Sequence, residues 1–530
     1  MIIPRPAAVE RHAGRFTLDR SVRLSVGPGA ERPAALLREY LGADVPADVP
    51  AAAWADAPAG ADARAGAGDR TIRLALRGDG DPESYALGIR PESVTLTAPA
   101  AAGLFHGVQT LRQLLPIPVR SGEQWWPCLE LTDRPRLPWR GFMLDVARHY
   151  MPVPYLRLLV DRLAFHKLNV LQLHLTDDQG WRMEIDGHPR LTGVGAWRSE
   201  SMVGPSRIDG VRNDRYDGVP HGGYYTRREL AELVRYAADR GVAVVPEIEM
   251  PGHVRALLAA YPELGNRPER PQPVWTGWGV SEDILGVGDA ALDLCREVLD
   301  QVQQVFPSRY VHIGGEECPT VQWESSPAAR EKALRLGLGG PAELRGWFLK
   351  EMRDFLATRG RRSICWDESG HAAGSLPPDI TVVPWRDAAH GAEAVRRGHR
   401  VIMAPHRSTY LDYRQHDHPE EPPGQPGHPV TLADIHGFDP LAGGLPVSDG
   451  DSPGVLGAQA QLWTEFAPTP DHVDYLLFPR LCGFAESAWS GTGDFAEFRA
   501  RLAAHYVRLR ALGIRPAAVE RTVLAGRMQP

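Results

Sequence analysis

The spacing of apolar and polar positions changes character near residue 135. Before it, short runs at Ser21–Val26, Thr71–Ala75 and Ser93–Thr97 predict strands, and a longer apolar segment from about Ala101 to Leu115 predicts one helix. The Ala, Pro and Asp-rich stretch from about Gly42 to Asp69 reads as a surface loop. Together these predict a small α+β domain over residues 1–135, with Pro135 and Pro138 punctuating its end. Beyond them, short apolar runs alternate with helical periodicity, as repeated β-α units and a parallel sheet require. The candidate strands are Gly141–Val146, Val170–Leu175, Ala243–Ile248, Tyr310–Ile313, Ser363–Trp366, Thr381–Pro384, Val401–Ala404 and Val455–Leu462. Between them, Pro154–His166 places Leu156, Leu159, Val160 and Leu163 on one apolar face, and Arg227–Arg240 has the same period. The prediction is an α/β chain whose residues 136–530 close into a (β/α)8 TIM barrel. No internal sequence repeat is evident, and a Pro-rich loop from about Gln415 to Pro429 interrupts the barrel.

Composition agrees with a folded chain: 43% hydrophobic and 24% charged residues are ordinary values, and 54 Gly with 47 Pro predict long loops. The net charge of −7 contains no block of like charges, so neither nucleic acid nor a membrane surface is an expected partner. Lys167, Lys332 and Lys350 are the only lysines and fall in helix-like stretches, which disfavours Schiff-base chemistry at a strand end. The five cysteines are far apart and lack metal or redox spacing, so free thiols are expected. The first residues, MIIPRPAAVERHAGRF, show no basic segment followed by an apolar run, and no stretch of about 18 apolar residues occurs anywhere. A cytoplasmic location is expected for the chain as written, and a secreted one if a leader has been removed.

In such barrels the C-terminal strand ends carry the chemistry. They offer Asp145 and Arg148, then Asp177 and Asp178, then Glu247, Glu249 and His253, then Glu316 and Glu317. The second half adds Trp366, Asp367 and Glu368, then Trp385, Tyr410 and Asp412, and finally Trp463 and Glu465. Carboxylates and an arginine bond hydroxyls while aromatic faces stack on pyranose C–H groups, so this set suits a sugar. No strand end offers paired histidines, and neither metal nor cofactor is expected. Two adjacent acids in a cleft should raise at least one pKa, which a general acid needs. Consecutive strand residues point to opposite faces, however, so Glu316 and Glu317 cannot easily flank one bond as acid and nucleophile.

The segments RGFMLDVARHY (140–150), HLTDDQGWR (174–182), PEIEMPGH (246–253), HIGGEE (312–317), TYLDY (409–413) and LWTE (462–465) resemble, in order, those of family 20 β-N-acetylhexosaminidases. The resemblance implies an exo-acting, retaining hydrolase of terminal β-linked N-acetylglucosamine or N-acetylgalactosamine, in which the substrate's 2-acetamido oxygen is the nucleophile and an oxazolinium ion forms. It assigns Glu317 as general acid/base, Glu316 as the residue orienting the acetamido group, and Asp177 and His253 as a network tuning the acid. It assigns Arg148 and Glu465 to the sugar's O3/O4 edge, and Trp366, Trp385, Trp463 and Tyr410 to the acetamido pocket, with Asp412 beside it and Glu249 among the substrate-binding set. Glu316 and Glu249 depart from the pattern, which has Asp at both. Each adds one methylene, or roughly 1.5 Å of reach.

Other readings stay open. Asp145, Asp178, Glu247, Asp367 and Glu368 can simply support loops or arginines. His174 and His312 read as satisfied core histidines, and Cys318 as a small buried neighbour. Trp275 and Trp278 fit either packing or an aglycone site. A sugar-binding barrel with weakened catalysis, or an exo-enzyme releasing a disaccharide, remains an alternative, and oligomeric state is not legible.

Overall fold

The computed structural model describes residues 2–42, 70–116, 124–208, 210–367 and 376–518. Among the described residues, the first domain is a six-stranded mixed sheet of order β1-β6-β4-β5-β3-β2. Its strands are β1 (Ala8–Leu18), β2 (Arg23–Val26), β3 (Thr71–Leu76), β4 (Tyr85–Ile89), β5 (Ser93–Ala98) and β6 (Gln124–Asp133). Helices α1 (Glu31–Leu41) and α2 (Ala101–Leu114) accompany it. β1, β4, β6 and α1 were not anticipated. β1 is exposed over its first eight residues, so no buried face marks it in the sequence, and the predicted loop over 43–69 lies outside the described residues.

The second unit is a closed parallel barrel, a TIM barrel flanked by helices. All eight predicted strands occur, with ends shifted by one or two residues: β7 (Trp139–Asp145), β8 (Val170–His174), β9 (Ala243–Glu247), β10 (Tyr310–His312), β11 (Arg362–Trp366), β12 (Thr381–Val383), β13 (Arg400–Met403) and β14 (Gly454–Leu462). They are legible because parallel strands buried on both faces become apolar runs. α3 (Val153–Phe165) buries Leu156, Leu159, Val160 and Leu163 as its periodicity requires. α4 (Arg227–Ala238) starts at a capping box in which Thr226 and Glu229 satisfy each other's backbone N–H groups, and it buries Leu230, Leu233, Val234 and Ala237. No described helix is long and apolar enough to cross a membrane.

The two units are joined by charge as well as apolar contact. Lys167, at the end of the α3 turn, lies 2.7 Å from Asp133 of β6 with both side chains fully buried, and the same carboxylate accepts the Trp489 indole N–H at 2.9 Å. Arg140 of β7 bonds Glu83 at 2.7 Å. Removing one partner of such a pair leaves an uncompensated charge at a cost of about 3–5 kcal/mol.

Candidate active site

Inside the barrel a separate apolar cluster, including Met143, Val245, Ile364 and Ile402, is topped by Trp366, Trp385 and Trp463. These tryptophans come from three different strand ends, so the barrel itself brings them together. Trp366 and Trp463 have ring centroids 5.8 Å apart at 42°, and Tyr410 lies 6.4 Å from Trp463. The Trp366 indole N–H donates to Glu247 at 2.7 Å, whereas the buried Trp385 Nε1 meets no partner among the described residues. An aromatic pocket with a free N–H suits a sugar carrying an apolar substituent.

Beside it, Arg148 is almost wholly buried. Its guanidinium lies 2.8 Å from Asp177, donates to Gln179 at 2.9 Å, approaches Glu465 to 3.8 Å and stands 5.0 Å from the Trp463 ring centre. Burial works against its charge, but Asp177, Glu465 and Asp145 outweigh it and keep the group fully protonated. Asp145 accepts the backbone N–H groups of Ala147, Arg148 and Thr464 at 2.8, 3.0 and 3.0 Å, so it stitches the first loop to the last. Burial, and then the Glu465 charge, pushes Asp412 well above the carboxylate range. Its Oδ1 has no partner among the described residues.

Glu317 has φ +42°, a left-handed conformation rare outside glycine, which turns it out of line with its neighbour. Its side chain is 35% exposed and lies 3.6 Å from His253 Nε2, while His253 Nδ1 faces Asp177 at 3.1 Å and Asp178 at 3.2 Å. Burial opposes the charge on Glu317, but the His253 cation holds its carboxyl below the ordinary value. Glu316, only 7% exposed, is the acid that burial and then Glu247 raise, to about 8. The raised pKa expected from adjacency therefore falls on the other member of the pair, because a cation from the loop after β9 faces Glu317. Burial also works against the charge on His253, and Asp177 overrides it, lifting the imidazole well above its usual range.

Glu249 is fully enclosed, beneath the Gly314–Gly315 turn and away from the mouth: its Oε2 accepts the Gly315 N–H at 3.4 Å and its own N–H donates to Thr176. A Cβ at Gly314, where φ is +61°, would stand 1.8 Å from that oxygen. Burial, then Glu316 and Glu247, raises Glu249 well above the carboxylate range. Trp278 is packing, with its indole N–H on the Met202 carbonyl at 3.1 Å, while Trp275 is half-buried with the Arg255 guanidinium 5.7 Å from its ring centre. Asp178 supports loops through the backbone N–H of Arg255 at 2.9 Å. Glu368 lies outside the described residues.

One residue read from the sequence as a core histidine joins this site directly. His174 sits between Asp177 and Glu247, 2.9 Å from each, and although burial opposes its charge Glu247 and Asp177 raise it to about 10. The available signal was a polar pair at i and i+2, Gln172 and His174, within the otherwise apolar β8. The groups His174–Glu247–Glu249 and Asp177–Asp178–His253 are close enough to surround an ion, but Asp177 already serves Arg148, His174 and His253.

The model of glycosyl hydrolase family 20, catalytic domain, matches residues 137–492, and that of glycosyl hydrolase family 20, domain 2, matches residues 1–134. The chain belongs to glycosyl hydrolase family 20. It is an enzyme, a glycoside hydrolase of the β-hexosaminidase type. It is 38% identical to a beta-hexosaminidase of Porphyromonas gingivalis over 82% of this chain and 54% of that one, so it spans about half the length of that relative. It is 33% identical to a beta-N-acetylhexosaminidase of Cellulomonas fimi over 95% of this chain and 93% of that one. The solved exo beta-N-acetylglucosaminidase from Vibrio harveyi, in complex with N-acetylglucosamine, superposes with a TM-score of 0.85 at 29% identity, covering 98% of this chain and 78% of that one.

Proposed function

We propose that this chain removes terminal, non-reducing β-linked N-acetylglucosamine or N-acetylgalactosamine with retention, the substrate's own acetamido oxygen attacking C1. The observation that carries this reading is the division between neighbours at one strand end. Glu317 is open to a leaving group and paired with His253, itself paired with Asp177, while Glu316 at the same strand end is buried. One carboxylate serves the glycosidic oxygen and the other serves the acetamido N–H, which leaves the nucleophile to the substrate.

In the free enzyme the transferable proton stands on His253. A bound aglycone would cover Glu317 and remove the water that favours its charged form, so the proton passes to Glu317 and then to the leaving oxygen. Attack by the acetamido oxygen makes the nitrogen of the new ring cationic, and Glu316, having released its proton to solvent, accepts that N–H and stabilises the charge. Arg148, Glu465 and Asp412 hold the hydroxyls of the non-reducing edge and close the pocket beyond it, which favours exo over disaccharide-releasing action. The test is a panel of chromogenic β-glycosides varied at C2 and C4. A 2-hydroxy glucoside should turn over at least about 100-fold more slowly than the N-acetylglucosaminide, given the effective molarity of an intramolecular nucleophile. Comparable rates would refute substrate assistance.

A further inference from the structure

We propose that Glu247 and His174 are positioning residues of the acid apparatus, a buried ion pair that fixes Asp177 and, through it, His253 and Glu317. The proposal rests on the functional reading above and deepens it. The distances form one series: Glu247 Oε2 to His174 Nδ1 is 2.9 Å, His174 Nε2 to Asp177 Oδ2 is 2.9 Å, Asp177 Oδ1 to His253 Nδ1 is 3.1 Å, and His253 Nε2 to Glu317 Oε2 is 3.6 Å. Anion and cation alternate along it, so each inner member is held from both sides by opposite charge. Everything up to His253 is enclosed by protein, where such attractions are weakly screened.

A histidine placed only to fill the core needs one partner and remains neutral. His174 has Glu247 at one ring nitrogen and Asp177 at the other, the carboxyl of Glu249 at 3.8 Å from the loop after β9, the Trp463 ring edge-on at 4.8 Å from the loop after β14, and His312 of β10, an imidazole that burial and the charge on His174 lower to about 4 and so keep neutral. That environment calls for an imidazolium. Its Nε2–H donates squarely to Asp177, whereas the approach to Glu247 is oblique, an ion pair and not a hydrogen bond. Asp177 shares the oxygen that meets His174 with Arg148, so the charge on His174 bears on the sugar-edge arginine as well as on the acid.

Glu247 also reaches the other half of the site. Its Oε1 accepts the Trp366 indole N–H at 2.7 Å, and its Oε2 accepts from Gln172 at 2.8 Å, which is itself bonded to Gln459 at 3.0 Å across the barrel. One buried carboxylate thus sets both the wall of the aromatic pocket and the far end of the acid series. Neutralising it weakens the hold on the imidazolium, and the Asp177–His253 geometry relaxes with it.

The experiment is Glu247→Gln, assayed on aryl and alkyl β-N-acetylglucosaminides of graded leaving-group pKa, with 15N NMR of the His174 ring. For good phenolate leaving groups, which need little protonation, kcat/KM should fall less than about 5-fold, and for poor alkyl ones by about 50-fold or more, since general acid catalysis contributes about 10²–10⁴. The His174 ring should remain doubly protonated through pH 9 in the wild type and titrate at least one unit lower in the variant. An equal loss across leaving groups, with only the melting temperature lowered, would show a purely structural role and overturn the proposal. So would a neutral His174 in the wild type at pH 7. Should Glu247→Gln not fold, the wild-type titration and Glu247→Asp decide the matter by the same leaving-group comparison. If the wild type is active on another β-glycone and not on N-acetylhexosaminides, the functional reading fails, and the same series on that glycone still tests the pair.

Discussion

Gly314→Ala probes the packing beneath the two acids. At φ +61° an alanine pays the left-handed penalty of roughly 1–2 kcal/mol. Its methyl would also stand 1.8 Å from Glu249 Oε2 and 2.3 Å from Cδ, where real Cβ atoms are essentially never found within 3.0 Å. The contact is short by more than 1 Å in a fully buried place, and overpacking of that kind costs about 1–3 kcal/mol. The expected destabilisation is therefore roughly 2–5 kcal/mol, read as a shift in the denaturant midpoint. Because Glu316 and Glu317 follow immediately, a displacement near 1 Å should also lower kcat/KM on the order of 10²-fold. The same geometry specifies a rescue. Glu249→Asp withdraws the carboxylate by about 1.5 Å, more than the shortfall, so in the double variant the overpacking disappears and only the backbone penalty remains. A double-mutant cycle should show favourable coupling of at least about 1 kcal/mol, whereas additivity within about 0.5 kcal/mol would refute the reasoning.

Glu317→Gln should lose most activity on alkyl glycosides and much less on activated aryl ones, measured as kcat/KM against leaving-group pKa; equal losses contradict the acid role. Glu316→Asp should lower kcat/KM by up to about 10²-fold, because withdrawing the carboxylate by one methylene weakens its reach to the acetamido nitrogen while the surrounding aromatic residues are all in place. A rate above wild type would mean that Glu316 is a damaged site. Glu316 is raised to about 8 when folded, so its neutral form contributes stability that is complete below the ordinary carboxylate pKa and lost as pH rises through 8. Glu316→Gln should accordingly gain in melting temperature relative to wild type between pH 5 and pH 9 by scanning calorimetry, and a constant difference would contradict the shift.

The barrel was legible because both faces of its strands are buried, so each strand is an apolar run that periodicity detects. The first sheet was only half legible for the opposite reason. β1 carries Glu, Arg and His on an exposed edge and breaks register between Arg11 and Arg15; β6 alternates only from Leu129 to Asp133, and Pro127 stands ahead of that stretch as a residue that argues against a strand. In the site, motif order located Arg148, Asp177, His253, Glu316, Glu317 and the tryptophans, which the structure brings to one mouth. His174 and Glu247 were read as core and as loop support because the only local signal, the Gln172–His174 pair in β8, does not say what either meets. What distinguishes them is contact across strands 73 positions apart, and that exists only once the barrel closes.

Two adjacent acids in a cleft were expected to raise at least one pKa, and it is Glu316, not the proposed general acid Glu317, that is raised. In the folded chain the His253 charge acts on both acids, and the deeper burial of Glu316 separates them. Glu317, twisted outward, meets His253, whose charge is sustained by Asp177, and so it ionises. Glu316, enclosed and within reach of the Glu247 charge, does not. The free enzyme thus holds its proton one residue away from where the reaction uses it, and holds a second on the group that must accept the acetamido N–H. Both misplacements are corrected by the substrate itself: an aglycone over Glu317 favours its neutral form, and a nitrogen becoming cationic against Glu316 favours its charged one. A site arranged this way discriminates in the transition state more than in the ground state, because the second of these interactions reaches full strength only as the oxazolinium charge develops.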